Sequence, residues 1–303
     1  MTDVIFFDLD GTLVDHRGAV FAAIGRIVRE SPNATAAPEE LAAAWWALEA
    51  RHMREYLDGA CSFAEHHRRR VASFLPLLGE PVPAGPAGLD AWTAERYLPA
   101  FADAWRCYPD VRPALEALGR LPHPPRLAVL TNGDPGQQRA KLARFGLLEH
   151  FEAVLTPTEL GSAKPAAYAA ACHALRTVPE RAANVGDMLS GDVTAATAAG
   201  LTGIWLDRGV DFVTGEPTTS TGAGTGADAV VLRIEELTAL AELASPGGPL
   251  ARKRPRTDAN RPPAGGPDTG AAVPHAPHRP RRPSEHPGGS GAHDGQAVRF
   301  DHV

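Results

Sequence analysis

The chain has 303 residues, of which 44% are apolar and 22% charged, and its formal net charge is −6. These values are typical of a globular protein with one or two domains, and they exclude a chain that is disordered throughout. The longest apolar runs are too short to span a bilayer, and no signal-peptide pattern precedes the first of them, so we expect a cytoplasmic protein without a membrane partner. The three cysteines are odd in number and far apart in the sequence, which argues against a disulfide framework and against a CxxC site.

A buried strand is predicted close to the start of the chain, where four apolar residues follow one another from Val4 to Phe7. Asp8 and Asp10 come directly after this strand, and Gly11 opens the turn behind them. Open α/β sheets bind their ligands at the carboxyl ends of the strands. The two carboxylates are therefore expected to enter one binding crevice.

Helical patterns without any strand pattern occupy residues 14–105. The first helix has an apolar stripe that includes Val20, Ile24 and Ile27, and later helices repeat this spacing. An all-helical block between two parts of an α/β sheet predicts a separate small domain packed over the end of the sheet.

Two features of this block invite a nucleic-acid interpretation, and we prefer a simpler one for each. The run from His66 to Arg70 is expected to form a solvated helix face. Trp45, Trp46, Trp92 and Trp105 are expected to pack between helices instead of stacking on bases. We therefore do not expect a nucleic-acid partner.

Strands and helices alternate after residue 105, which predicts a mainly parallel sheet. The expected strands lie at 127–130, 151–155, 183–185, 202–206 and 229–232. The predicted fold is thus α/β, with a Rossmann-like parallel-sheet core formed by residues 1–13 and 106–245 and with the helical domain of residues 14–105 inserted after the first strand.

Further polar groups follow the later strands or begin helices. They are Thr131 with Asn132, Lys164, and Asp187 with Asp192. A parallel sheet would gather them at one edge together with the first two acids, where carboxylates repel one another unless a cation lies among them. Oxygen donors without His or Cys favour Mg²⁺, and a magnesium site beside a lysine and a hydroxyl is suited to a phosphoryl group.

Four motifs, in this order, resemble those of the haloacid dehalogenase superfamily and of its phosphatase branch, over residues 3–243. They are Asp8-Leu9-Asp10-Gly11-Thr12, the strand Leu127-Ala128-Val129-Leu130 that runs into Thr131-Asn132-Gly133, the pair Lys164-Pro165, and Gly186-Asp187-Met188-Leu189-Ser190-Gly191-Asp192. Each motif alone is modest evidence, but all four in the family's order form a strong signal.

The resemblance implies that Asp8 is a nucleophile that forms an aspartyl-phosphate and that Asp10 is the general acid and base. It also implies that Thr131 holds a phosphoryl oxygen and that Lys164 stabilises the nucleophile and the charge of the intermediate. The helical insert resembles the C1-type cap of the family, which closes over the site and excludes water.

The same resemblance implies that Mg²⁺ is held by the Asp8 side chain, the Asp10 main-chain carbonyl and Asp187, with Asp192 supporting the site from behind. Asn132 and Gly133 are expected to join Thr131 and Lys164 in binding the substrate. The expected substrate is a small phosphorylated metabolite, such as a sugar phosphate or a nucleotide, and the expected assembly is a monomer or a homodimer.

Asp10 favours a phosphatase over a dehalogenase, because displacement of a halide leaves no alkoxide to protonate. Two alternatives stay open. A phosphotransferase or phosphomutase would form the same intermediate and pass the phosphoryl group to another alcohol, and a non-catalytic member would keep the fold for binding or regulation.

Residues 246–303 differ in composition from the rest of the chain. They contain eleven Pro and nine Gly, and nine Arg or Lys against five Asp or Glu. With so few large apolar side chains, this segment cannot bury enough surface to offset the entropy lost on ordering. We predict a disordered, basic C-terminal tail.

Overall fold

A computed structural model of the chain describes residues 2–209 and 231–251. Its strands are β1 Val4–Phe7, β2 Arg126–Leu130, β3 Ala153–Leu155, β4 Ala182–Gly186, β5 Thr202–Leu206 and β6 Val231–Ile234. Its α-helices are α1 His16–Glu30, α2 Pro38–Leu57, α3 Phe63–Phe74, α4 Pro86–Trp92, α5 Leu98–Ala104, α6 Val111–Gly119, α7 Pro135–Arg144, α8 Pro157–Leu160, α9 Tyr168–Ala174, α10 Ala195–Ala198 and α11 Leu240–Ala244. Across the two described ranges, we find no helix that is long and apolar enough to cross a membrane.

The six strands form one parallel sheet in the order β3-β2-β1-β4-β5-β6. β1 lies in the middle of the sheet. The next two strands, β2 and β3, are added on one side of β1, and the last three, β4 to β6, are added on the other side. The order of the strands therefore reverses at β1, and sheets of this kind bind ligands at the carboxyl end of the strands where the order reverses. The predicted α/β fold class is confirmed.

Both faces of the sheet are covered, as a parallel sheet requires. Ile5 and Phe7 point into one apolar layer, which α6 and α11 help to form, whereas Val4 and Phe6 point into the layer on the side of α9. Because successive side chains of a strand point to opposite faces, all four apolar residues of β1 are buried, and each layer receives two of them. The rigid centre of the sheet therefore carries the loop that begins at Asp8.

Helices α1 to α5 lie between β1 and β2 and have an apolar core of their own. The fully buried Trp45 is at its centre, with ring centroids 5.0 Å from Phe74, 4.6 Å from Tyr97 and 6.1 Å from Trp92. The four tryptophans singled out in the sequence are buried here, as predicted. A short π-helical turn joins α4 to α5.

The run from His66 to Arg70 is predicted from the sequence to form a solvated helix face. This prediction is wrong for His66 and for Arg70. His66 is fully buried and Arg70 is only 3% exposed, while Arg68 and Arg69 form surface ion pairs. The helix turns by about 100° per residue, so one stretch of basic residues is divided between the inner and outer faces of α3.

The core extends beyond the predicted boundary at residue 245. Leu250 is 3% exposed and lies in the same apolar layer as Phe7, and its carbonyl accepts hydrogen bonds from the backbone and the side chain of Thr2. Residues 246–251 therefore belong to the folded core. The remainder of the predicted tail, residues 252–303, lies outside the described residues.

Candidate active site

The carboxyl end of β1 leads directly into the Asp8–Thr12 loop. The amide of Asp8 donates to the carbonyl of Val185 in β4, at 2.8 Å, so the strand ladder continues up to the first acid. Gly11 then adopts φ +89°, a conformation that glycine reaches without strain. A Cβ at Gly11 would lie 2.2 Å from Oδ2 of Asp187, so glycine is required there both by the turn and by the approach of Asp187.

Lys164 brings two of the predicted acids together. Its Nζ donates to Oδ1 of Asp8 and to Oδ1 of Asp192, at 2.6 Å in each case, and all three residues are buried. Burial alone would lower the pKa of Lys164, but the two carboxylates hold it well above its ordinary value. Lys164 is therefore a cation that binds one oxygen of Asp8 and leaves the other oxygen for chemistry.

Asp187 completes a cluster of three carboxylates. Oxygens of Asp8, Asp187 and Asp192 lie within 4.8 Å of one another, and Thr12 Oγ1 donates to Asp187 at 3.1 Å. Burial raises the pKa of Asp8 to about 7, against the opposing effect of Lys164. Burial and repulsion from Asp8 and Asp192 raise the pKa of Asp187 well above its ordinary value. One lysine does not balance three clustered acids, of which Asp8 and Asp192 are buried and Asp187 is half-buried.

The donor set of this cluster fits a divalent cation. Carboxylate oxygens are hard ligands of the kind that Mg²⁺ takes, and a cation would counter the burial and the repulsion that raise the pKa values of Asp8 and Asp187. Both oxygens of Asp192 already accept hydrogen bonds, one from Lys164 Nζ and the other from the amide of Met188 at 3.2 Å.

Asp10 lies in a separate set of contacts. Lys141 Nζ donates to its Oδ1 at 2.6 Å, Gln138 Nε2 donates to its Oδ2 at 2.7 Å, and His16 Nδ1 lies 3.5 Å from Oδ1. Burial would raise the pKa of Asp10, but Lys141 and His16 reverse this effect and hold the pKa below its ordinary range. Before substrate binds, Asp10 is a carboxylate.

The second motif follows β2, which pairs with β1, so it lies at the same edge of the sheet. Thr131 is 3% exposed, and its Oγ1 accepts from Gln138 Nε2 at 2.8 Å and from the amide of Gly133 at 3.2 Å. The two ends of the Asn132 amide bind the backbone of Lys164, its Oδ1 accepting from the amide at 2.7 Å and its Nδ2 donating to the carbonyl at 3.3 Å. Asn132 thus connects the loop after β2 to the loop that carries the lysine.

The eight residues singled out in the sequence lie in two hydrogen-bonded groups and one carboxylate cluster. Asp8, Asp192 and Lys164 form one part, Asp10 and Thr131 share Gln138, and Asn132 ties the second motif to the third. Gly133 joins through Thr131, and Asp187 through the carboxylate cluster.

Sequence reasoning did not find Gln138, Lys141 and His16, which contact Asp10, or Glu49, which binds His16. Gln138 and Lys141 are fully buried on α7, next to the buried Leu142. A usable signal existed, since polar residues three apart occupy the inward face of an amphipathic helix that begins just after the second motif. His16 gave no comparable signal, because its partner Glu49 is on another helix.

The match between this chain and a known family covers most of the described residues. A family model described as a hydrolase, haloacid dehalogenase-like, matches residues 2–200. The chain belongs to the haloacid dehalogenase-like hydrolases. This match includes all four motifs and the helical insert.

Two curated relatives of this family member are phosphatases by name. A phosphoserine phosphatase of Thermus thermophilus is 38% identical over 170 residues, which are 54% of this chain and 64% of the relative. A glyceraldehyde 3-phosphate phosphatase of Methanopyrus kandleri is 35% identical over 104 residues, which are 34% of this chain and 44% of the relative. The chain thus spans less than two thirds of the length of each.

Two solved structures share the fold of this haloacid dehalogenase-like hydrolase. The HAD-hydrolase YfnB of Bacillus subtilis, solved with magnesium bound, superposes with a TM-score of 0.62 at 19% identity, over 80% of this chain and 98% of that one. The L-2-haloacid dehalogenase of Xanthobacter autotrophicus superposes with a TM-score of 0.60 at 21% identity, with the same coverage. At these identities the likeness extends to the fold alone.

Proposed function

We propose that this protein is a phosphatase that hydrolyses a small phosphomonoester through a phosphoryl group carried on Asp8. The observation that carries the proposal is the pairing of two differently placed acids at the end of β1. Asp8 is held by Lys164 at 2.6 Å, and Asp10 is held apart from it by Lys141 and Gln138. Two acids in two environments are suited to two roles.

In the first half of the reaction, an oxygen of Asp8 attacks phosphorus and the ester P–O bond breaks. The leaving alkoxide takes a proton from Asp10, whose pKa rises when the negative phosphoryl group arrives beside it. Lys164 stabilises the charge that develops, and the hydroxyl of Thr131 donates to a phosphoryl oxygen. Both lone pairs of Thr131 Oγ1 already accept hydrogen bonds, so its proton is the part left for the substrate.

In the second half, water attacks phosphorus and the bond between phosphorus and Asp8 breaks. The carboxylate form of Asp10 takes the proton of this water, which completes the cycle. Asp10 is already a carboxylate in the substrate-free site, and this is the form that the second role needs.

The proposed cofactor is Mg²⁺, held by the Asp8 side chain, Asp187 and the main-chain carbonyl of Asp10. When bound, it neutralises the phosphoryl charge and orients the phosphoryl oxygens. We assign Asp192 to support, because Lys164 and the amide of Met188 already occupy its two oxygens. Gly133 and Asn132 are assigned to binding of the phosphoryl group. Asn132 would contribute indirectly, because its amide group binds the backbone of Lys164.

The presence of Asp10 separates this proposal from dehalogenation. A halide leaves without a proton, whereas an alkoxide requires one, and the carboxylate of Asp10 is held by three buried partners, Gln138, Lys141 and His16. The phosphatase names of the two curated relatives favour the same choice. Both names refer to small three-carbon phosphomonoesters, and a substrate of this size is our first expectation.

Helices α1 to α5 are proposed to act as the cap that closes over the site and excludes water. The contacts that favour this role start from Asp10. His16 on α1 lies against Asp10 and binds Glu49 of α2 at 2.6 Å, and Glu49 in turn pairs with the buried Arg70 of α3 at 2.7 Å. The acid is therefore connected to three helices of the insert.

The direct test measures release of phosphate from an aryl phosphate in the presence of Mg²⁺. We expect activity in the native protein and none in Asp8→Asn, and mass spectrometry of the acid-quenched native enzyme should find phosphate on Asp8. Asp103→Asn, at a side chain that is 72% exposed, is the matched control and should keep full activity. Unchanged turnover in Asp8→Asn would rule out the assigned nucleophile.

A second measurement separates hydrolysis from phosphoryl transfer. With a phosphorylated metabolite as substrate, a phosphatase releases free phosphate and alcohol in equal amounts, whereas a transferase places the phosphoryl group on a second alcohol. A panel of small phosphomonoesters, including phosphoserine and glyceraldehyde 3-phosphate, then ranks substrates by kcat/KM.

A further inference from the structure

We propose that Lys141 and Gln138 of α7 are positioning residues that hold the Asp10 carboxyl in the geometry needed for proton transfer to the leaving alcohol. This inference rests on the proposed phosphatase function and adds two residues to its machinery. Neither belongs to the four motifs, and both lie on a helix that the motifs do not include.

The geometry around Asp10 is that of a clamp. Lys141 Nζ holds Oδ1 at 2.6 Å and Gln138 Nε2 holds Oδ2 at 2.7 Å, so each carboxyl oxygen has its own donor. A carboxyl group that is gripped at both oxygens has little freedom to rotate, and proton transfer depends on such alignment. Both donors are on one helix, one turn apart, so they move as a unit.

Lys141 is itself held in an unusual place. It is fully buried, and its Nζ lies 5.2 Å from the ring centroid of Phe101 and 5.7 Å from that of Trp105, at the end of the helical insert. A buried lysine loses its hydration, and only close partners make up for that loss. In the described residues, Asp10 is the carboxylate that pairs with it. The buried charge of Lys141 is therefore placed directly against the proposed general acid.

Gln138 connects the acid to the phosphoryl-binding hydroxyl. The same Nε2 atom that binds Asp10 also donates to Thr131 Oγ1 at 2.8 Å. One amide group therefore sets the distance between the residue that protonates the leaving group and the residue that holds a phosphoryl oxygen. Replacing Gln138 frees both of them together.

The test compares two substrates with different needs for a proton. An alkyl phosphate releases an alkoxide that must be protonated, whereas p-nitrophenyl phosphate releases a stable anion. Since kcat/KM reports the steps up to departure of the first product, it isolates this half of the reaction. For Lys141→Met we expect kcat/KM to fall by about a hundredfold with the alkyl phosphate and by less than about threefold with the aryl phosphate.

The ratio of the two kcat/KM values is the decisive quantity, because a fraction of unfolded enzyme lowers both values equally and cancels. The second variant, Gln138→Leu, should lower the same ratio. Arg139→Met, which removes an exposed cation from the same helix, is the matched control and should leave the ratio unchanged. In an Asp10→Asn background, Lys141→Met should cause no further change of the ratio, because the clamp then has no acid to position.

The outcomes distinguish the two levels of the proposal. If the native protein hydrolyses neither substrate, the phosphatase function is overturned, and the positioning role with it. If the native protein is active and Lys141→Met loses both substrates equally, or loses neither, the positioning role alone is overturned. A ratio that falls in Lys141→Met and Gln138→Leu but not in Arg139→Met supports it.

Discussion

Replacing Lys164 by Met removes the only side-chain cation that bonds directly to the carboxylate cluster in the described part of the chain. Lys164 Nζ lies 2.6 Å from both Asp8 and Asp192, and the three side chains are at most 11% exposed. Met keeps most of the apolar stem of the lysine, so the substitution tests the charge and not the packing.

The expected loss follows from the burial of the pair. Removing one partner of a buried ion pair costs about 3–5 kcal/mol, because the charge that remains has no counterion. For a chain of this size about 2–4 °C of melting temperature corresponds to 1 kcal/mol, so the melting temperature should fall by about 6–20 °C at slightly alkaline pH.

The loss should depend on pH with a definite sign. Burial raises the pKa of Asp8 from 3.8 to about 7, even with Lys164 present, so the folded protein binds protons more tightly than the unfolded chain. Stability is therefore full below the unfolded pKa and falls as the pH rises through the folded pKa. Without Lys164 the folded pKa rises further, and the variant should be close to the native protein at about pH 5 and far less stable at about pH 8.5.

Thermal unfolding at the two pH values, with and without Mg²⁺, measures this effect. A cation that binds only the folded state at about a hundred times its dissociation constant stabilises it by about 2.7 kcal/mol, so Mg²⁺ should restore much of the loss at alkaline pH. Arg181→Met, which removes a surface partner of Asp3, should differ from native by less than about 0.5 kcal/mol. A loss of equal size at both pH values, untouched by Mg²⁺, would refute the reasoning.

Three other substitutions or truncations test the fold and the site. Gly11→Ala places a Cβ 2.2 Å from Asp187 in a left-handed turn, so we expect a loss of about 1–3 kcal/mol in thermal unfolding and weaker Mg²⁺ binding by calorimetry. Trp45→Ala should cost about 3–5 kcal/mol in denaturant unfolding, since this fully buried ring is at the centre of the helical insert. A chain ended after Ser245 should be about 2–5 kcal/mol less stable than one ended after residue 251, because it lacks Leu250. Equal stability of the two truncated chains would contradict the extended core.

The strands and the acids could be predicted from local pattern. An apolar run that ends in a polar turn can be recognised within a short stretch of sequence. Because parallel strands have their carboxyl ends at one edge of the sheet, the sequence alone predicts that Asp8, Thr131 and Asp187 lie close together. The order of the four motifs then pointed to the family. The boundary at residue 245 was wrong because the burial of Leu250 is a tertiary contact that composition does not reveal.

The burial of charges could not be predicted in the same way. A run of basic residues looks solvated in sequence, yet the rotation of α3 turns His66 and Arg70 inward, and Arg70 pairs with Glu49 from another helix. A charged side chain is buried where an oppositely charged residue from a distant part of the chain pairs with it, and a single sequence does not reveal which residues pair.

The sequence by itself determined the α/β class, and it predicted the helical insert and the residues proposed to bear the chemistry, because these depend on periodicity and on motifs that each lie within a few residues. Only the tertiary structure decided what surrounds them. Asp10 is separated in sequence from Gln138 by 128 positions and from Lys141 by 131 positions. Lys164 is separated from Asp8 by 156 positions and from Asp192 by 28 positions. Such contacts arise only when segments that are distant in sequence meet near the carboxyl end of β1, so the residues that set the environment of each acid became visible with the fold.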